Sequence, residues 1–254
     1  MMWLGILIPF LGTVIGSFLV FFLRNELPIL IEKCLLGFAG GVMMAASIFS
    51  LLIPAMDQAG DHGWLVSTVG FLLGILFLWI LDAIIPHVHV LSDQEEGMTV
   101  SIQRSTKLFL AMTLHNVPEG MALGIVLVNF LQMPNQLALG ASLALTIGIA
   151  IQNIPEGAVV SLPLKQQGYS KMKAFLFGSF SGIVEPLGAM LTILFSTWIQ
   201  PILPWVLSFA AGAMIYVVVE ELVPQSQTGK HSNWATISFA LGFACMMILD
   251  STLG

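Results

Sequence analysis

Residues 120–155 read GMALGIVLVNFLQMPNQLALGASLALTIGIAIQNIP, with no Asp, Glu, Lys or Arg between Glu119 and Glu156. The run is far longer than the roughly 18 apolar residues that mark a bilayer-spanning helix. It joins the end of one predicted span to the start of the next. Charge is also missing from Met1 to Leu23 and from Pro186 to Val219. Over all 254 residues, 57% are hydrophobic and only 9% charged, against about 45–50% and about 25% in a soluble domain. This composition excludes a water-soluble globule. At about 20 residues per crossing, the length holds eight or nine helices and leaves no room for a second, soluble domain. The chain therefore reads as one transmembrane domain, 1–254. A net charge of −6 with only eight basic residues and no basic cluster excludes a nucleic-acid partner.

Hydropathy divides the chain into eight predicted helices at about 3–23, 35–56, 64–86, 106–128, 137–163, 172–197, 203–223 and 234–252. Cytoplasmic loops carry the excess of Lys and Arg, which tests this division independently. With the N-terminus outside, Arg24, Lys33, Arg104, Lys107, Lys165, Lys171, Lys173 and Lys230 all fall on the inner side. Both termini are then extracytoplasmic, and the apolar N-terminus, with no basic leader, reads as a retained span. Cys34 and Cys245 sit too far apart in this scheme to pair. Gly12 and Gly16, Gly70 and Gly74, and Gly178 and Gly182 repeat at four-residue spacing, the pattern of close helix packing in membranes. Met43, Met44, Met246 and Met247 read as packing residues, since a Met-based metal site normally comes with thiolates.

One pattern is written twice. Residues 114–120 are Leu-His-Asn-Val-Pro-Glu-Gly and residues 151–157 are Ile-Gln-Asn-Ile-Pro-Glu-Gly. On a helix, His115 projects beside Glu119 and Gln152 beside Glu156. Asn116 and Asn153, three residues before the same glutamates, share their other flank, so each Glu can serve two adjoining ligand sets. Pro118 and Pro155 cannot donate to the carbonyls of Leu114 and Ile151, and they bend their helices.

Glu119 lies twelve residues from Lys107, Glu156 nine from Lys165, and Glu185 twelve from Lys173. At about 1.5 Å per residue each stands roughly 14–18 Å above the inner basic residues, near mid-bilayer. Charges there cost several kcal/mol each. No Lys or Arg lies at this depth, which leaves protons or bound cations as partners. One imidazole, several carboxylates and amide oxygens, without a thiolate, suit Zn²⁺, Fe²⁺, Mn²⁺ or Cd²⁺ and argue against Cu⁺. Protonated glutamates that merely tie helices together would account for one buried Glu. They do not account for three at one depth beside His115 and twinned prolines.

Asp57 and Asp250 end their helices on the outer side, where they would form an acidic mouth or stand as solvated helix ends. Asp82, His87 and His89 end the third helix, and Glu220 and Glu221 close the seventh before Pro224. These five suit either an inner metal site and exit path or solvated ends. His87 and His89 alternate, which fits an extended segment. Asp93, Glu95 and Glu96 read as a solvated loop, and His62 and His231 as surface residues.

The motif His115 to Gly120 resembles the HNxPEG signature of the ZIP (Zrt-/Irt-like protein) family of divalent metal transporters. The counterpart in the fifth helix begins with Gln152 in place of the His found in many members. Together with residues 37–41, 50–55 and 160–164, it is similar to the GufA-like branch. The resemblance implies an eight-helix bundle in a 3+2+3 arrangement, commonly a homodimer, with a two-metal centre. Carried over by position, one site uses His115, Glu119, Gln152 and Glu156, and its neighbour uses Asn116, Glu119, Asn153, Glu156 and Glu185. Some members have Asp at the position of Asn153; the amide here removes one negative charge.

These readings converge on a transporter that carries divalent transition metals, zinc foremost, into the cytosol. The metal is cargo and not a cofactor, and the compact loops suggest a bacterial plasma membrane. An intramembrane metalloenzyme and a proton-coupled carrier of an organic solute are the alternatives. There is no HExxH and no nucleophile beside a base to favour the enzyme.

Overall fold

The computed structural model describes residues 2–22, 27–88, 95–98, 104–132, 135–229 and 233–253. Among these residues, eight helical spans are long and apolar enough to cross a membrane. They are α1 (Trp3–Phe21), α2 (Ile29–Gln58), α3 (Gly60–Ile84), α4 (Phe109–Gln132), α5 (Ala138–Gln166), α6 (Lys171–Leu194), α7 (Ser196–Gln227) and α8 (Asn233–Leu253).

The largest departures from the expected boundaries are the starts of α2 and α7. Charge had placed Lys33 in a loop, but Pro28 caps the helix at φ −53° and ψ 132°, and helix begins at Ile29. Standing just before the first helical residue, a proline costs the helix no hydrogen bond. Glu32 and Lys33 are then buried in the first turns of α2. At α7, Pro201 and Pro204 sit in the first turns of short helical pieces, so the chain coils from Ser196 onward. There they cost no ladder hydrogen bond.

Packing follows a two-fold scheme. α2 packs most extensively on α8, α1 on α5, α3 on α7, and α4 on α6. Exchanging α1 with α6, α2 with α7, α3 with α8 and α4 with α5 leaves this set of pairs unchanged. The sequence carries the same repetition: Phe38-Ala39-Gly40-Gly41-Val42-Met43 in α2 against Phe209-Ala210-Ala211-Gly212-Ala213-Met214 in α7. A Cβ on Gly41 would strike the carbonyl of Phe239 in α8, and one on Gly212 the carbonyl of Phe71 in α3. The return contacts match, Gly242 on Phe38 and Gly74 on Phe209. Gly16 and Gly157 bring α1 and α5 together in the same manner. Close backbone approach is how helices gain packing energy where lipid removes the hydrophobic drive.

α2 and α7 share a further feature. Each widens to π-helical turns, over Ser47–Leu52 and Val218–Leu222, immediately before Pro54 and Pro224. Such turns often mark functional positions, and these hold Ser50 and Glu221. Between α3 and α4, β1 (His87–Val88) pairs antiparallel with β2 (Glu95–Glu96), so His87 is extended as its alternation with His89 implied. His89, Asp93, His231, Arg24 and Lys230 lie outside the described residues. Met43 and Met246 are fully buried in the apolar core, and Cys34 and Cys245 are free thiols, half-buried on helices α2 and α8.

Candidate metal centre

Pro118 and Pro155 lie inside the continuous helices Arg104–Gln132 and Gln136–Gln166, which carry the two motifs. All seven residues read as central from the sequence, His115, Asn116, Glu119, Gln152, Asn153, Glu156 and Glu185, are at most 4% exposed. Gln152 Nε2 donates to Glu119 Oε1 at 2.6 Å and ties α5 to α4. Asn153 Nδ2 donates to Glu185 Oε2 at 2.7 Å and to the Pro9 carbonyl at 3.1 Å. Thr13 Oγ1 donates to Glu185 Oε1 at 3.4 Å, and Asn116 Nδ2 to the Ser181 carbonyl at 3.1 Å. Four helices, α1, α4, α5 and α6, therefore converge here. Glu119 and Glu185 are each close enough to Glu156 to repel it electrostatically.

The atoms left over are informative. His115 Nδ1, Asn116 Oδ1, Glu119 Oε2, Gln152 Oε1, Asn153 Oδ1 and both carboxylate oxygens of Glu156 are buried without a hydrogen-bond partner. Native interiors satisfy nearly all such groups, and each orphan costs about 1–3 kcal/mol, more if charged. An interior that collects carboxylate and amide oxygens beside an imidazole has the donor set of a divalent transition-metal site.

A second cluster is the more compact one. Among the described residues, one group of three such side chains brings its ligand atoms within 4.8 Å of one another: Asp82, His87 and Glu221. Sequence had placed these three on the exit side. His87 Nδ1–H donates to the Ile85 carbonyl at 2.9 Å, which turns Nε2 toward Asp82 Oδ1 at 3.1 Å and Glu221 Oε1 at 3.5 Å. Burial works against charge on His87, but the bonds to Asp82 and Glu221 outweigh it and lift the imidazolium to a pKa of about 10. Each carboxylate is held by its far oxygen, Asp82 Oδ2 by Tyr216 OH at 3.0 Å and Glu221 Oε2 by Gln225 Nε2 at 2.6 Å. His115 Nε2 comes within 3.4 Å of Glu221 Oε1, so the residue that spacing assigned to Glu119 also faces this cluster. Glu220 is exposed and lies outside this group. Its neighbour in the π-helical turns, Glu221, faces inward instead.

Sequence reasoning missed the supporting residues. Gln225 was within reach, four residues after Glu221 on one helix face. Tyr216, Thr13, Ser181 and the Pro9 carbonyl had no such signal, because they act across helices.

At the other end, Ser50 Oγ donates to Asp250 Oδ1 at 2.7 Å. Asp57 and Asp250 share a cavity of about 350 Å³ that Asn129 and Asn135 also line. The two-fold scheme relates this end to the other. Asp250 follows Gly242 by eight residues, as Asp82 follows Gly74; Ser50 follows Gly41 by nine, as Glu221 follows Gly212.

Comparison with known proteins identifies the family. The profile of the family described as ZIP Zinc transporter matches residues 89–250. The chain is 37% identical to Zinc transporter GufA of Myxococcus xanthus, over 81% of each chain. It is 36% identical to Zinc transporter ZIPB of Bordetella bronchiseptica, over 96% of this chain and 79% of that one. With human Zinc transporter ZIP11 it shares 32% identity, over 95% of this chain and 94% of the relative. A family match over more than half of the chain, with relatives covered over 79–94% of their length, leaves one assignment: this chain belongs to the ZIP zinc transporter family.

Proposed function

We propose that the protein carries divalent transition-metal ions, zinc foremost, across a bacterial plasma membrane into the cytosol, as a transporter and not an enzyme. The observation that supports this most strongly is the row of buried, unpartnered ligand atoms on His115, Glu119, Gln152 and Glu156 in an eight-span bundle. Asp57 and Asp250 gather the cation at the outer mouth. The central set replaces its water, with Asn116 and Asn153 on the adjoining flank of Glu119 and Glu156. Asp82, His87 and Glu221 receive it on the cytosolic side, with His89 next in the chain. Sidedness follows from the basic residues, and both termini stand outside. The resemblance to the family implies a homodimer.

The test is zinc uptake into liposomes that hold the purified protein. His115→Ala and Glu156→Ala are each expected to abolish uptake while leaving yield and membrane insertion unchanged. Uptake at the wild-type rate in both variants overturns the proposal.

A further inference from the structure

The three central carboxylates are not equivalent. Glu156 has two open oxygens and Glu119 one, whereas both oxygens of Glu185 accept hydrogen bonds, Oε1 from Thr13 and Oε2 from Asn153. The orientation of the Asn153 amide is fixed by chemistry. It faces the Pro9 carbonyl as well as Glu185 Oε2, and a carbonyl only accepts, so the nitrogen must point that way. Both amide protons are engaged. The wall beside Glu185 is close-packed too: a Cβ on Gly182 would lie 2.8 Å from Thr13 Oγ1 and 3.1 Å from Glu185 Oε1.

We infer that this chain holds one divalent cation at mid-membrane, not a pair, because Asn153 and Thr13 bind Glu185 and withdraw it from the cation-binding set. Glu185 acts as a pin between α1, α5 and α6. Charge counting gives the same result. Glu119 and Glu156, the carboxylates with open oxygens, balance one divalent ion. A second divalent ion would exceed the combined charge of Glu119, Glu156 and Glu185 even if all three were ionised, and uncompensated charge at mid-bilayer is costly. An Asp at position 153 would supply the missing negative charge and remove the amide protons that hold Glu185.

This inference rests on the transport reading above, and its test separates the two. The full chain in detergent is dialysed against Zn²⁺ alone, and bound zinc per chain is counted by elemental analysis; variants are read as differences from wild type, since the two ends of the bundle also offer ligands. Glu185→Gln is expected to leave the count unchanged. Asn153→Asp is expected to raise it by one ion, and Glu185→Gln added to Asn153→Asp to cancel that gain. Loss of one ion in Glu185→Gln alone, or no gain in a folded Asn153→Asp protein, overturns the inference. If Asn153→Asp does not fold, Glu185→Gln decides alone. Glu156→Gln serves as the reference and is expected to lose one ion. An unchanged count there overturns the central metal site itself, and this inference with it.

Discussion

His115 Nε2 stands 3.4 Å from Glu221 Oε1, and the same oxygen is 3.5 Å from His87 Nε2. Glu221 thus lies between a residue of the central motif on α4 and the cluster at the end of α3. On the proposed route, Glu221 is the carboxylate that a cation beside His115 reaches next.

Glu221→Gln is accordingly expected to slow zinc uptake into liposomes at least about tenfold at saturating zinc. A carboxylate positioned between two imidazoles offers a charge that an amide cannot replace. The apparent affinity from the outside should change less, since the outer mouth and Glu156 are untouched. An unaltered maximal rate would remove Glu221 from the route.

Glu156 has two buried oxygens with no hydrogen-bond partner. Glu156→Gln keeps the side chain's shape but removes the carboxylate that a cation would bind. Zinc should then stabilise it far less. Saturating zinc raises wild-type stability by about 2.7 kcal/mol at a hundredfold excess over Kd, and most of that shift should vanish. Equal zinc-induced shifts in the two proteins count against Glu156 as a ligand.

The contrast between these residues marks how far the sequence could be read. The eight spans were legible because a bilayer demands about 20 apolar residues per helix, and no soluble constraint competes. The helix faces of His115 with Glu119 and of Gln152 with Glu156 followed from 3.6-residue periodicity alone. The approach of His115 to Glu221 did not, because periodicity says nothing of which helices meet. The direction of the Asn153 amide depends on Pro9, far away on α1. The start of α2 was misplaced because Lys33 read as a loop residue, yet it and Glu32 are buried inside the helix.

His87 links the cluster of Asp82, His87 and Glu221 to pH. Its pKa is raised from 6.5 to about 10 in the metal-free protein. A raised value stabilises the fold fully below about pH 6.5, and that stabilisation is lost as pH climbs toward 10. The melting temperature of the metal-free protein should therefore fall over this window, and His87→Gln should flatten the fall. Zinc must displace the proton from Nε2, so its binding to this cluster tightens as pH rises. Proton release on zinc addition near pH 7 is expected to drop by about one per chain in His87→Gln. The same release in both proteins would place the displaced proton elsewhere.

The two-fold packing scheme makes an energetic claim as well as a geometric one. Gly40 and Gly41 are neighbours with different surroundings: a Cβ on Gly40 meets the Leu222 Cβ at 3.3 Å, whereas one on Gly41 runs into the backbone carbonyl of Phe239. Alanine is the better helix former by about 1 kcal/mol, so Gly40→Ala should be nearly neutral once Leu222 shifts. Gly41→Ala must push α8 away from α2, and overpacking of this kind costs about 1–3 kcal/mol. Gly212 stands at the equivalent place against Phe71, so Gly212→Ala should destabilise by a similar amount through α7 and α3. Thermal melts of the three variants in one detergent check the claim. A large loss at Gly41 with none at Gly212 would mean that the repetition is shared in sequence but not in energy, because only one of the two glycine contacts would then hold its helices together.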